Sequence, residues 1–193
     1  MSVLKRGTAL LSFALALLTF SSANAAITLQ MNLEQMVTYS ERVFVGEVVE
    51  ISETRVAAGG GELPAVTYRI RVTDTFKGDY ETVKDEQFTE VTMVGSLKDV
   101  MAGRHPITDF PVLSVGTEYL LFVAEPGPTG LTATMGLGQG CFHLNGTDAD
   151  RVAMNLVNNA GLFNGMTVPF SQGEPILYSE LADLINDIVG GAE

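Results

Sequence analysis

The sequence predicts a mainly β fold, a barrel or sandwich of about seven short strands with two peripheral helices. Apolar and polar residues alternate through "VTYRIRVTDTFK", residues 66–77, which is typical of a strand with one face on a core. Further stretches rich in β-branched and aromatic residues follow at short spacing. Turns of Gly, Pro, Asn and Asp separate them, as expected for sequential antiparallel strands.

The first elements of the predicted fold are a short helix and a strand. Asn32 and Gln35 have the spacing of a capping box, and they predict a helix over residues 33–39. The stretch "RVFVGEVVEI", residues 42–51, then predicts a strand in which Gly46 marks a bend or a bulge. Three glycines and a proline within residues 59–64 predict the hairpin loop that follows.

The second strand carries the clearest alternation in the chain. Only Asp74 breaks its apolar face, and Lys77-Gly78-Asp79 is turn chemistry that ends it. This face could line a ligand groove, although residues in such a pattern more often belong to a core. The apolar face comprises Val66, Tyr68, Ile70, Val72 and Phe76.

The remaining elements are five further strands and a terminal helix. A long irregular connection over residues 95–116 contains two prolines, and loops of that length are often functional. The terminal helix is predicted over about residues 176–189, with Ser179 as its N-cap and Gly190 as its stop. Its apolar stripe is Leu177, Leu181, Leu184, Ile185 and Ile188. The strands are predicted at residues 86–95, 117–125, 131–137, 140–144 and 151–157.

The domain organisation follows from the N-terminus. Two basic residues, an apolar run and Ala23-Asn24-Ala25 predict a signal peptide over residues 1–25, and residues 26–193 then form one domain. Without the two basic residues of the signal, nine Lys and Arg face 23 Asp and Glu. Such a charge disfavours nucleic acid as a ligand. We expect an exported bacterial protein, periplasmic or extracellular and monomeric, with no integral membrane segment after cleavage.

Several of these signals, in this order, resemble a known family. Phe76-Lys77-Gly78 ends one strand, and Gly116 with Tyr119-Leu120-Leu121-Phe122 opens another. They resemble the OB-fold-like barrel of tissue inhibitors of metalloproteinases and netrin-type modules, and more closely a group of exported bacterial domains. The resemblance covers roughly residues 32–144 and implies a barrel of five to seven strands. The inhibitors chelate a protease zinc through an N-terminal cysteine, which this chain lacks.

The segment "GQGCFHL", residues 138–144, raises the question of thiol chemistry. Cys141 is the only cysteine, which excludes an intramolecular disulfide, and it shares a predicted strand face with His143. A cysteine nucleophile needs donors that lower its pKa, and no helix follows Cys141. We therefore interpret Cys141 as a small strand residue and assign no catalytic, cofactor or metal site.

Two other parts of the chain carry side chains that could bind a metal ion. The segment "NGTDAD", residues 145–150, offers oxygen ligands but lacks the glycine and glutamate of an EF-hand, so a hairpin turn is favoured. His105, before Pro106 in the long connection, is expected to be an ordinary surface residue. Two histidines and one cysteine do not make a tetrahedral zinc set.

Three function hypotheses remain from the sequence. The first is a non-enzymatic, exported binding domain that contacts a protein partner through the 95–116 connection and the 59–64 hairpin tip, without a cofactor. The second is a protease inhibitor that acts through a loop instead of an N-terminal cysteine. The third is a thiol-dependent enzyme or redox sensor that uses Cys141 and His143.

Overall fold

The structure is a computed structural model that describes residues 29–105, 107 and 109–191. The predicted signal peptide lies outside the described residues. These residues form three α-helices and eight strands. The helices are α1 (Leu33–Tyr39), α2 (Leu97–Met101) and α3 (Tyr178–Gly190). The strands are β1 (Arg42–Ala58), β2 (Gly61–Lys77), β3 (Glu81–Val83), β4 (Glu86–Val94), β5 (Glu118–Val123), β6 (Cys141–Asn145), β7 (Val152–Asn155) and β8 (Ile176–Leu177). No helix in these ranges is long and apolar enough to cross a membrane.

All eight strands belong to one antiparallel sheet in the order β3-β4-β2-β1-β5-β6-β7-β8. The mainly β class is therefore confirmed, but the prediction of five to seven strands is too low. The two-residue strand β8 and the three-residue strand β3 are too short to leave a pattern in the sequence. They form the two edges of the sheet, where short strands leave few backbone groups unpaired.

The sheet is not closed into a barrel, so the predicted closure is wrong. Among the described residues, no strand ladder joins the two ends of the strand order. Two residues from elsewhere in the fold contact β4. The backbone N–H of Thr132 donates to the Thr92 carbonyl at 2.8 Å, and the Arg42 guanidinium of β1 donates to the Thr89 hydroxyl and to the Glu90 carbonyl. One backbone bond and one side chain do not make a continuous ladder, and the sheet remains open.

Burial on both faces of the sheet gives two separate cores. The first, which we call the helix-side core, is covered by α1 and α3; the second, the loop-side core, is covered by α2 and the 95–116 loop. The helix-side core comprises Leu33, Met36, Val37, Val43, Val45, Leu120, Phe122, Phe142, Ala153, Leu162, Phe163, Ile176, Leu181 and Ile185. The loop-side core comprises Phe44, Val48, Val66, Tyr68, Ile70, Val72, Val91, Met93, Val100, Leu113, Tyr119, Leu121, Val123 and Cys141.

The predicted face of β2 is confirmed over most of its length. Tyr68 and Ile70 are fully buried in the loop-side core, so they do not line a ligand groove. Phe76 is the exception, because it packs against the helix-side core. The β1–β2 register passes from Phe44 opposite Thr75 to Val43 opposite Lys77, which makes Phe76 the extra residue of a bulge. A bulge interrupts the alternation on which the prediction rested.

Gly46 lies at a second register shift, as the sequence predicted. A Cβ atom on Gly46 would lie 2.5 Å from the Ile70 side chain and 2.8 Å from the Arg71 carbonyl oxygen. Only a residue without a side chain allows β1 and β2 to approach this closely. The hairpin tip is also tighter than predicted, because Gly59 and Gly60, both with positive φ, make the whole turn. Pro64 belongs to β2, opposite Arg55.

Helix α1 has the predicted bounds and the predicted cap. Asn32 Oδ1 accepts from the Gln35 N–H at 2.9 Å, and the Gln35 side chain accepts from the Asn32 N–H at 3.0 Å. At the other end, Lys77 Nζ donates to the carbonyls of Val37 and Thr38, each at 3.0 Å. A cation at this end satisfies carbonyls that the helix leaves unpaired. Lys77 thereby ties the end of β2 to α1.

Two predictions in the C-terminal half are wrong. Residues 131–137 make one isolated bridge, Thr134 with Val123, and no strand, because β6 already pairs with β5. Helix α3 begins at Tyr178 with Leu177 as its N-cap, and Ser179 makes no cap. Leu177 pairs with Val152 in the sheet, so the chain passes directly from β8 into the helix.

The two faces of β2 predict two different mutational effects. Ile70→Asp should lower the free energy of unfolding by about 3 kcal/mol or more, because it buries an unpaired charge in the loop-side core. Arg71→Asp should cost about 1 kcal/mol, because the Arg71 side chain is partly exposed and its ion pairs with Glu47 and Glu86 are solvent-screened. Urea denaturation measures both. Equal losses would show that the assignment of the faces is wrong.

Candidate functional site

Cys141 begins β6 and is fully buried in the loop-side core. Burial raises the pKa of its thiol to about 12, the opposite of what a thiolate nucleophile requires. The residue before it explains part of the glycine-rich pattern. A Cβ atom on Gly140 would lie 2.6 Å from the Met135 carbonyl oxygen and 3.1 Å from that of Phe122. The segment is thus packed tightly against its neighbours.

His143 points to the same side of the sheet as Cys141, as the spacing predicted. Its ring centre lies 5.1 Å from that of Tyr119, at 61° to it, and its side chain is only partly buried. Within the described part of the chain, no hydrogen bond joins His143 to Cys141 or to a carboxylate. The structure therefore brings the two residues to one face without the hydrogen bonds by which a base activates a nucleophile.

The candidate metal ligands are not brought together. Within residues 29–105, 107 and 109–191, no three His, Cys, Asp or Glu side chains lie close enough to hold one ion. The segment 145–150 is the predicted turn between β6 and β7, with Gly146 at φ 89° and one turn of 3-10 helix at Asp148–Asp150.

The 95–116 loop is held to the sheet at both ends. At its start, Gly95 N–H donates to the Pro64 carbonyl at 3.0 Å. At its end, Gly116 N–H donates to the Val48 carbonyl at 2.8 Å, and Ser114 N–H donates to the Tyr119 hydroxyl at 3.1 Å. These bonds fix where the loop leaves and rejoins the sheet.

His105 organises the middle of this loop and is not the ordinary surface residue that we expected. Its Nδ1 accepts from the Ile107 N–H at 3.0 Å, so in the neutral ring Nε2 donates to the Val94 carbonyl at 2.6 Å. Its ring stacks on Phe110 with centres 4.4 Å apart. Because both ring nitrogens of His105 form hydrogen bonds with the backbone, this side chain stabilises the conformation of the loop.

Apolar side chains of the loop divide into buried anchors and exposed residues. Val100 and Leu113 are buried in the loop-side core, whereas Met101 is 71% exposed and Val115 is 56% exposed. A cavity of about 360 Å³ lies among these residues and β1. We call it the Leu113 cavity. It is lined by Ile51, Val100, Met101, Gly103, Leu113, Ser114 and Val115.

Tyr68 is fully buried in the loop-side core, and its hydroxyl lies beside the Leu113 backbone. Burial raises the pKa of this phenol to about 12, so the hydroxyl keeps its proton at neutral pH.

The sequence singled out the 95–116 loop but not the exposed apolar side chains that it carries. Met101 and Val115 gave no signal, because their exposure depends on how the loop folds over the sheet. The turn signal of Gly103 and the irregular pattern around it predict a loop only.

Two changes in β6 test the interpretation of Cys141. Cys141→Ala should lower the free energy of unfolding by at most about 1 to 2 kcal/mol, because it removes one sulfur from the loop-side core. Phe142→Ala should cost about 3 to 5 kcal/mol, because Phe142 is a large side chain of the helix-side core. Native protein at neutral pH should react slowly with a thiol reagent until denaturant is added. Rapid labelling of the native protein would contradict the interpretation.

The raised pKa of Cys141 also predicts a pH dependence. The thiol of the unfolded chain loses its proton above about pH 9, and that of the folded protein keeps it until about pH 12. The folded state then binds more protons, so stability should fall as the pH rises through this window. Urea denaturation at about pH 8 and about pH 11 should show the wild type losing more stability than Cys141→Ala. An equal loss in both proteins would exclude a contribution from the thiol.

Comparison with known proteins gave no match: no family model, curated protein or solved structure is similar to the chain by sequence or by fold. The resemblance to inhibitor and netrin-type modules therefore stays a prediction. It depends on two motifs, whose positions in the structure are now known. Phe76-Lys77-Gly78 ends β2, and the segment from Gly116 to Phe122 leads into β5.

Proposed function

We propose that the chain is an exported, non-enzymatic binding domain that contacts a protein partner through its 95–116 loop, with the hairpin tip as a secondary contact. One observation carries this proposal. Four of the eight exposed large apolar side chains of the described residues lie in these two segments. They are Leu63, Met101, Ile107 and Val115. Exposed apolar side chains on loops held by a rigid sheet are typical of recognition surfaces.

The proposal includes an OB-like fold related to the inhibitor and netrin-type modules. Its support is the pair of residues outside β4 that contact this strand, Arg42 from β1 and Thr132 from the segment after β5. Further support comes from Lys77, which belongs to the Phe76-Lys77-Gly78 motif of the resemblance. Its side chain ties β2 to α1. In such folds the connecting loops supply the binding surface, and in this chain the 95–116 loop is the long connection that covers the loop-side core.

The charge distribution favours a protein over a phosphate-rich partner. The chain carries a formal net charge of −12. The arginines along β2 also face carboxylates, since Arg69 lies 3.3 Å from Glu90 and Arg71 lies 3.5 Å from Glu86. A phosphate would have to displace these carboxylates in a negative field.

The thiol alternative is less well supported. Cys141 is buried, its pKa is raised, and the nearby His143 forms no hydrogen bond with it in the described part of the chain. Enzymes that use cysteine expose the sulfur and stabilise its thiolate. The second alternative, inhibition of a protease through a loop, would follow from the same proposal if the partner that the loop binds is a protease.

The test is a capture experiment from the exported fraction of the producing cell. The double variant Met101→Asp, Val115→Asp should lose at least about tenfold of the captured partner, because a charge disrupts an apolar contact surface. Tyr39→Asp is the matched control, since Tyr39 is 65% exposed on α1, away from the loop, and this variant should bind as the wild type does. Capture by the wild type and by Tyr39→Asp that survives raised salt would exclude simple charge attraction as its cause.

Equal capture by the double variant and the wild type would overturn the assignment of the surface. Circular dichroism and melting temperature establish that each variant is folded. Substitutions at exposed positions away from caps and cores change stability little, so loss of capture would report on the surface itself.

A further inference from the structure

The hairpin of β1 and β2 extends beyond the rest of the sheet. Strand β5 pairs with β1 only over residues 42–47, and β4 pairs with β2 only over residues 65–72. The last backbone contact beside β1 is at Val48, whose N–H donates to the Thr117 carbonyl at 3.1 Å. In the described part of the chain, no strand therefore lies beside residues 51–57 on the side away from β2. We call this stretch the free edge of β1.

The register of the hairpin shows which backbone groups lie on the free edge. Ala58 pairs with Gly61 across the two-residue turn, so these two residues exchange both of their backbone hydrogen bonds. Every second residue before Ala58 then also faces β2, and the residues between them direct their N–H and C=O groups outward. Pro64 agrees with this phase, because it lies opposite Arg55 and its carbonyl accepts from the Gly95 N–H on the other side of β2. The outward residues of the free edge are Ile51, Glu53, Arg55 and Ala57.

Such an edge is a template for another strand. Each outward residue offers one backbone donor and one acceptor, and a strand added in antiparallel orientation would bond both. The outer part of the hairpin, residues 55–64, consists of two strands only, since the pairing of β2 with β4 begins at Ala65. A two-stranded ribbon has little stability of its own, so an added strand would stabilise it.

The charges on the free edge identify the added strand as that of a second copy of the chain. Glu53 and Arg55 are successive outward residues of opposite charge, and both are exposed. If two copies pair in antiparallel orientation about a two-fold axis at Thr54, Glu53 of each copy lies directly opposite Arg55 of the other. A shift of two residues in either direction would place two glutamates or two arginines opposite each other, which is unfavourable. The charges therefore select one register.

The Arg55 guanidinium is accessible for this pairing. Its only ion pair among the described residues is with Glu62 of the same hairpin, at 3.6 Å. The two side chains are 66% and 65% exposed, so solvent screens this pair strongly. Glu53 forms no ion pair in the described part of the chain. Both charges of the free edge can thus face a second copy.

We propose that two copies of the chain associate through the free edge of β1, in antiparallel register about a two-fold axis at Thr54. Glu53 pairs with Arg55 of the other copy, and Ile51 pairs with Ala57 of the other copy. The two sheets then form one continuous sheet across the axis. This inference replaces the sequence-based expectation of a monomer. It is independent of the loop surface proposed above, because its residues lie on β1 and its test uses the purified protein alone.

The test measures association of the purified protein by sedimentation velocity, from about 1 μM to about 1 mM protein. Salt at about 0.15 M screens the repulsion between two acidic copies. Glu53→Lys places a lysine opposite Arg55, and Arg55→Glu places two glutamates opposite each other. Each variant alone should raise the Kd of the dimer at least about tenfold, because both cross-strand pairs become repulsive.

A mixture of the two variants tests the register itself. In a dimer of one Glu53→Lys copy with one Arg55→Glu copy, both cross-strand pairs again join opposite charges. An equimolar mixture should therefore form this heterodimer about as tightly as the wild type forms its dimer. Native mass spectrometry with one variant labelled with nitrogen-15 distinguishes the heterodimer from the two homodimers.

Glu125→Lys is the matched control. It makes the same change of charge at an exposed residue after β5, away from the free edge, and it should dimerise as the wild type does. Hydrogen exchange gives a second readout, since the outward N–H groups of Glu53 and Arg55 should exchange more slowly as the wild-type concentration rises. Circular dichroism and melting temperature establish that each variant is folded.

Three results would each overturn the proposal. The first is a wild type that stays monomeric up to about 1 mM, which would show that the charges of the free edge keep other strands away. The second is a dimer that Glu53→Lys and Arg55→Glu leave intact, which would place the contact on another surface. The third is a mixture of the two variants that forms no heterodimer, which would exclude the register.

Discussion

The pairing of β1 with β5 is the constraint on which the rest of the structure depends. Both strands are buried on both faces, over Val43 to Gly46 in β1 and over Tyr119 to Val123 in β5. Successive residues of a strand point to opposite sides, so each strand contributes to both cores. The two cores are therefore coupled, and the other elements of the fold serve to cover one side or the other.

The two covers differ in kind. On one side, α1 and α3 pack as helices, and the capping box and Lys77 fix the ends of α1. On the other side, the cover is a five-residue helix within a long loop, anchored by Val100 and Leu113. Apart from this helix, the described residues of the loop form no regular secondary structure, and such segments have low local stability in proteins.

Much of the fold could be predicted from the sequence, and the errors have physical causes. The capping box of α1 and the alternation in β2 are local signals, and both are confirmed. The bulge at Phe76 and the missing strand at residues 131–137 depend on which neighbour a strand meets, which no local pattern contains. Closure of the sheet likewise depends on distant contacts. For the site, the sequence indicated that Cys141 is a small strand residue because no activating group is near it in the chain, but the exposure of Met101 and Val115 results from how the loop folds over the sheet.

The most direct test of the account is whether the 95–116 loop uncovers the loop-side core more readily than the helices uncover the other core. Cys141 reports on this, because its sulfur is buried in that core and is the only thiol of the chain. Leu113→Ala loosens the loop, and Leu181→Ala loosens the helix cover of the other core. We expect Leu113→Ala to accelerate labelling of the native thiol far more than Leu181→Ala does. The two variants are compared at denaturant concentrations that give them the same free energy of unfolding. Equal labelling rates would show that Cys141 is exposed only by global unfolding, and they would contradict the account.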